Sequence, residues 1–332
     1  MAEHRGRTSG GVLLIVSIDT EEDNWHRSRR DVTLENIGEL RRLAVVFERL
    51  GVRPTYFTTY QVATDPRAAD VMREVGDGGR AEIAAHLHPW NTPPLPEAFV
   101  PRNSMLKNLP AELQLAKLQR LTAALEEAFG PTPRAFRAGR YGLGSDAVAA
   151  LVRCGYRVDS SVTPFVSWEQ VDDGPTFCGA PLGAYRLAPD RDVRQPAPDG
   201  DLLEIPLSSG FSRGPFRLWG AAGRFLDAPP FQRLRLVGLA ARTGLLHRIV
   251  LSPELASVAD MLTLSRRLLE QGVRHLQLSW HSPSLKPGLS PFTATAAEVA
   301  GLYRSVEAYV EGLSRITSVT PATVSEAAAV LG

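Results

Sequence analysis

Three histidines and a run of acids are the residues of this 332-residue chain best suited to chemistry. His86-Leu87-His88 sets two imidazoles at i and i+2. On a β-strand those positions project from one face, so the rings can share a divalent ion with a carboxylate completing the set. The bland reading is a pair of partly exposed histidines that binds nothing. Asp19-Thr20-Glu21-Glu22-Asp23 follows an apolar run at residues 12–18. Carboxylates there can cap a helix or face water. Asp19, however, directly follows an apolar strand and needs a partner, a metal or a proton. Trp280-His281-Ser282-Pro283 places a third histidine after another apolar run. A divalent metal activates a bound water and polarises a carbonyl, while a carboxylate base and a histidine acid move protons. Asp19 and His281 fit base and acid on separate strands, and a backbone N–H near Tyr141 is the candidate oxyanion donor.

These residues need elements to hold them. Residues 12–19 read as a strand buried on both faces. Ile37, Leu40, Leu43, Phe47 and Leu50 repeat at helical spacing, and Gly51 stops that helix. Strands are expected at 54–60 and at 81–88, the latter ending on the two histidines. A Pro-rich loop over 88–101 and a helix over 111–129 follow. Arg137 falls in a strand at 135–141, Ser145 or Asp146 caps a helix that closes at Gly155, and Asp159 falls in a strand at 156–162. Another strand is expected at 202–207. Ser252-Pro253-Glu254 reads as an N-cap with proline at the first position of a helix running to Gly272. A strand at 275–280, a helix at 296–313 and a strand at 315–319 finish the chain.

The β-then-α alternation predicts an α/β chain with right-handed crossovers and a mostly parallel sheet. About seven units suggest a barrel, where chemistry gathers at the C-terminal strand ends. One domain over 1–332 is expected, with surface insertions at about 165–200 and 211–251. The first is rich in Pro, Gly and Asp. The second carries seven arginines against one acid, Asp227, among dense apolar residues.

Lys+Arg 37 against Asp+Glu 36 leaves a net charge of +1, so no global field attracts phosphate and no nucleic-acid partner is expected. Two cysteines, Cys154 and Cys178, build neither a disulfide framework nor a Cys-rich zinc module, and they fit a reducing compartment. The run at 12–18 is far shorter than the roughly 20 residues of a spanning helix. It ends in acids without a small-residue cleavage site, so a cytoplasmic location is expected.

Taken in order, five stretches resemble the motifs of the polysaccharide deacetylases with NodB homology, carbohydrate esterase family 4. They are Ser17-Ile18-Asp19-Thr20-Glu21-Glu22-Asp23, Glu82-Ile83-Ala84-Ala85-His86, Phe136-Arg137-Ala138-Gly139-Arg140-Tyr141, Gly155-Tyr156-Arg157-Val158-Asp159-Ser160-Ser161 and Leu278-Ser279-Trp280-His281-Ser282. The tail at 320–327 is similar to the family's closing strand and turn. The likeness runs from about residue 12 to 330. It implies a distorted (β/α)7-type barrel and metal-dependent removal of an N-acetyl or N-formyl group from a sugar. In that frame Asp19 is the general base and Arg137 holds it ionised. Glu21, His86 and His88 hold the metal, expected to be Zn2+ with other divalent ions possible. Asp159 orients or tunes His281, the general acid. The chain also departs from the family. The second histidine ligand usually lies four residues after the first, where this chain has Trp90, so His88 must replace it. Thr20 stands where many members have Asp, leaving Glu21, Glu22 or Asp23 as ligand. Glu21 is preferred because it shares a strand face with Asp19.

The substrate is expected to be a carbohydrate, with Trp25, Trp90 and Tyr141 as candidate contacts and Trp168 and Trp219 as further aromatics. The arginine-rich segment 211–251 reads as an ordinary insertion or as a basic surface for an anionic substrate or a peripheral membrane contact. The latter would suit a lipid- or nucleotide-linked sugar. Two alternatives are an amidohydrolase of the same fold acting on a small amide, and a glycan-binding barrel without turnover.

Overall fold

The computed structural model describes residues 11–23, 32–216, 218–220 and 247–332. Nine strands form one curled, mostly parallel sheet, a half-barrel. β1 (Val12–Thr20), β2 (Thr55–Thr58), β3 (Glu82–Leu87), β4 (Ala135–Ala138), β5 (Val158–Asp159), β7 (Leu202–Glu204) and β10 (His275–His281) are parallel. Their order is β10-β1-β2-β3-β4-β5-β7, with β6 (Tyr185–Leu187) antiparallel at one edge and β11 (Val319–Ala322) beside the start of β1. A separate hairpin joins β8 (Ser209–Phe211) to β9 (Arg248–Val250). No ladder links β7 to β10. The gap is bridged instead by the His275 ring on the Pro206 carbonyl, by the Gln277 N–H donating to Ser208 Oγ, and by the Ser279 N–H donating to the Leu251 carbonyl.

β1 shows how alternation builds two environments. Leu14, Val16 and Ile18 face outward into a core shared with Leu276, Leu278 and Trp280 of β10. That core is covered by α1 (Leu40–Leu50), α3 (Pro66–Gly76), α6 (Val258–Glu270) and α7 (Ala296–Ser314). Each fully buried aliphatic side chain there contributes about 1.5–3 kcal/mol. α1 stops at Gly51, whose left-handed φ of 64° lets its N–H reach the Phe47 and Glu48 carbonyls. On the other flank, α4 (Ala111–Phe129) and α5 (Ser145–Arg153) cover Leu87, Phe136 and Ala138; a short α2 (Tyr60–Thr64) precedes α3.

The inward residues of β1 meet a different interior. Ile15 packs with Phe57, Ala84, Ala135, Val158, Leu203 and Ile205, and α8 (Val324–Leu331) plugs this end with Val324 and Ala327. One step higher the lumen turns polar: Ser17, Ser160, Gln277 and Ser279 hydrogen-bond to one another or to Arg137. Higher again are Asp19 and His281, register partners on neighbouring strands.

Three expectations are corrected. Residues 165–200 are more than a surface excursion, because Phe177, Tyr185, Leu187 and Val193 are buried in the core and β6 extends the sheet. These side chains follow no regular period, which hid them. The helix expected from Ser252 begins at Val258, where Ser257 accepts from the Asp260 N–H as the true cap. The last strand is Val319–Ala322, not 315–319.

Candidate active site

β1 delivers four acids at and just beyond its C-terminal end, and each finds a different partner. Asp19 is buried and pairs through Oδ1 with Arg137 Nη1. Arg137, fully buried, also donates to Ser17 Oγ, Ser160 O and Ser279 Oγ, and it lies 4.1 Å over the Phe57 ring. Glu21 turns toward the two histidines. Its Oε2 is 3.5 Å from His86 Nε2 and 3.1 Å from His88 Nε2. Glu22 Oε1 accepts from His88 Nδ1 at 2.7 Å and from the Asn91 amide. Asp23 caps the next turn, accepting from the Glu35 and Asn36 N–H groups. Of the three acids left open by the sequence, Glu21 alone faces both imidazoles.

The histidine rings are fixed from behind. His86 Nδ1 donates to the Arg137 carbonyl at 3.0 Å, and His88 Nδ1 faces Glu22. Both hydrogen bonds leave Nε2 as the atom turned to Glu21, the usual way a ligand tautomer is set. Three observations fit these residues to a divalent cation. The three donor atoms lie within 4.8 Å of one another. The two measured separations bracket the about 3.4 Å expected between atoms about 2.1 Å from a shared tetrahedral ion. Glu21 Oε1, deeply buried, has no hydrogen-bond partner. Burial would raise the Glu21 pKa, but hydrogen bonds with His86 and His88 and the charge of His281 outweigh it and hold the carboxyl well below the usual range.

His281 sits at the end of β10, its side chain 27% exposed, with Nε2 3.9 Å from Asp19 Oδ2. That is too long for a hydrogen bond and short enough for one atom of a bound molecule to be near both. Asp159 was expected to orient His281, and it does not: its carboxylate accepts from the Ser161 N–H and hydroxyl and pairs with Glu204 of β7. Its register partner on β7 is Glu204, which engages the carboxylate there. Glu254 takes the position instead. It is buried, accepts from His281 Nδ1 at 2.8 Å and from the His281 N–H at 3.2 Å, and is steadied by the Ser284 hydroxyl. Burial would lower the His281 pKa; the Glu254 charge and hydrogen bond reverse this and raise it to about 10. The sequence held a signal for Glu254, since it too is a carboxylate just beyond an apolar strand. Its neighbours Ser252 and Pro253 disguised it as a helix cap.

The expected substrate contacts divide. Trp90 is buried and stacks on His88, ring centroids 4.1 Å apart, so it backs a histidine rather than facing a substrate. Its apolar indole follows the turn that buries the whole start of this loop. Tyr141 is partly exposed, stacks on Trp168 and lies close enough to feel the Asp19 and Arg137 charges. It and Arg140 both take left-handed φ, at 57° and 52°, where the chain bends over the site. Trp219 packs against the outer core, and Trp25 lies outside the described residues. Missed by sequence reasoning was Phe292, whose ring lies parallel to His281 with centroids 6.2 Å apart.

No protein-family model and no curated protein matches this chain. Solved structures do. A candidate polysaccharide deacetylase from Mycobacterium smegmatis matches with TM-score 0.56 and 18% identity, over 98% of this chain and 92% of that one. A candidate glycoside hydrolase/deacetylase from Parabacteroides distasonis matches with TM-score 0.57 and 14% identity, over 94% of this chain and 69% of that one. The fold is thus the polysaccharide-deacetylase fold, with a buried Glu-His-His group that could hold a metal ion at the C-terminal ends of its parallel strands.

Proposed function

We propose that this chain is a metal-dependent hydrolase that removes an N-acetyl or N-formyl group from an amino sugar of a glycan or glycan precursor. The observation that carries the reading is the convergence of three sets: Glu21/His86/His88, Asp19 with Arg137, and His281 with Glu254. Glu21 and the two Nε2 atoms would hold the ion, of which Zn2+ is the leading candidate. A bound divalent ion supplies Lewis acidity and a water of lowered pKa.

The protein's own groups do the rest. Asp19 takes the proton of the attacking water through Oδ2, the oxygen that faces His281, while Arg137 keeps Oδ1 and fixes the rotamer. His281, protonated at neutral pH because of Glu254, donates from Nε2 to the departing sugar nitrogen. Tyr141 and its bend line the side of the site toward Arg137, where the acyl oxygen would find a donor.

The test is amine release from N-acetylated chito-oligosaccharides and from N-formylated amino sugars, by protein loaded with zinc. Release that depends on the metal and falls about 10²–10⁴-fold in His281→Ala is expected. A fully loaded protein that releases no amine from either class would overturn the reading.

A further inference from the structure

Arg217, Arg224, Arg233, Arg235 and Arg242 lie outside the described residues, but a second group of arginines does not. Arg134 and Arg157 stand at the starts of β4 and β5, at the end of the sheet opposite Asp19 and His281. The Arg157 N–H donates to the Arg134 carbonyl at 2.9 Å, and the Leu203 N–H donates to the Arg157 carbonyl at 2.9 Å. Arg186 of β6 is in turn the register partner of Leu203. The sheet therefore sets three arginines in a row, Arg134 and Arg157 on strands about 4.8 Å apart and Arg186 two strands further. Arginine side chains are long enough to converge across that span. With Asp201 the three line a cavity of about 260 Å³ beside α8, whose other walls include Val158, Leu203, Ala328 and Ala329.

These cations have no anion. Among the described residues, no carboxylate pairs with Arg134, Arg157 or Arg186. Arg186 is held in place: its Nη1 donates to the Gly200 carbonyl at 3.2 Å, and its guanidinium stands at the end of α8. Arg134 and Arg157 are exposed. Like charges on neighbouring strands destabilise a sheet, so the row costs stability until an anion neutralises it. Guanidiniums match phosphate oxygens through paired N–H donors. Arg134 and Ser325 also line a second cavity, of about 370 Å³, with Ile83, Leu125, Phe129, Pro131 and Pro133 among its walls. Its one acid, Glu82, is occupied by the Thr55 hydroxyl and by the Ser325 N–H and hydroxyl. A cationic compartment joined to an apolar one, with Arg134 in both, fits an anion that carries an apolar group. We propose that this end of the sheet binds a phosphate monoester with an aromatic or aliphatic substituent. The phosphate sits on Arg134, Arg157 and Arg186, and the substituent lies against Phe129 and Ile83. The site is separate from the Glu21/His86/His88 group and does not rest on the deacetylase reading.

The experiment is calorimetric titration of the zinc-loaded chain with phenyl phosphate, inorganic phosphate and phenol. Phenyl phosphate should bind at least about tenfold more tightly than inorganic phosphate, because its ring leaves water for the apolar cavity. Phenol should give no measurable heat. Phenyl phosphate should also raise the melting temperature, since it binds the folded chain and not the unfolded one. Arg134→Gln/Arg157→Gln should weaken its binding at least about tenfold. Both positions are exposed, so this variant should melt no lower than wild type when no ligand is present. Zinc can itself hold a phosphate, so the titration is repeated on the zinc-free chain, where the same affinity is expected. Four outcomes overturn the proposal: no binding of phenyl phosphate, binding that survives the double substitution, binding lost with the zinc, or equal affinity for phenyl and inorganic phosphate. The third would place the phosphate at Glu21, His86 and His88, and the fourth would leave the apolar cavity without a part. No turnover is measured, so the result stands apart from the deacetylase test.

Discussion

His88 has to give up a proton before its ring can hold an ion. Burial disfavours its charged form, but the Glu22 charge and hydrogen bonds with Glu21 and Glu22 outweigh that and set its pKa at about 9. Metal binding below that pH should release close to one proton, and apparent affinity should fall about tenfold per pH unit as the solution is acidified. Calorimetry in buffers of different ionisation enthalpy measures this directly; zinc binding without proton release would contradict it. His281 carries a second prediction. With its pKa at about 10 it stays protonated across neutral pH and loses the proton only above that value. Activity should therefore hold on the alkaline side until about pH 10. Glu254→Gln removes the charge that raises it, so the alkaline limb should move down toward the ordinary histidine value. The loss should be about 10–100-fold at pH 8 and recover on acidification. An unmoved limb would remove Glu254 from the mechanism. Asp19, Glu21, His86, His88 and His281 were legible because each sits where a strand ends or on one face of it. Glu254 and Glu22 were not, because their roles depend on which strands become neighbours.

Two features belong to the elements that carry these residues. Gly139, just after β4, lies so near β3 that a Cβ there would sit 2.6 Å from the His88 ring and the Leu87 carbonyl. Gly139→Ala should displace His88 and weaken zinc binding by at least about tenfold, with a smaller effect on melting. Wild-type affinity would show that the ring can move at no cost. Between β5 and β7, Asp159 and Glu204 are register partners and both are buried. Burial and mutual repulsion raise the Glu204 pKa well above normal, and burial raises that of Asp159. A folded carboxyl with a raised pKa holds its proton longer than the unfolded chain does. Stability thus declines as pH rises above the ordinary carboxyl value of about 4.5. Glu204→Gln, which can still accept from the Val162 N–H, should raise the melting temperature at pH 8 and change it little at pH 4.5. Equal shifts at the two pH values would count against a shared proton. The β/α alternation and the mostly parallel sheet were legible from periodicity. The edge strand β6 was not, since three residues carry too little pattern to separate a strand from a loop.

Across the whole molecule, stability and chemistry meet at Arg137. Its guanidinium reaches groups on β1, β10 and the segment just after β5, and it stacks on Phe57 of β2. Asp19 is the only carboxylate paired with it among the described ion pairs. Asp19→Asn should therefore cost stability as well as activity, by about 3–5 kcal/mol for a buried cation left without its anion. Removing both members of the other pair, as in His281→Ala/Glu254→Gln, leaves no buried charge unpaired and should change stability by less than about 1 kcal/mol. Parallel denaturation curves decide the contrast, and equal losses in the two variants would refute it.

This asymmetry has an evolutionary reading. Selection for folding alone is enough to preserve Asp19 and Arg137, while on the proposed reading His281 and Glu254 would be kept by turnover. A lineage that abandoned the reaction would shed the acid and its partner first and the base last. Within this fold, an intact Asp19 in a descendant sequence therefore says little about activity, and an intact His281–Glu254 pair says a great deal.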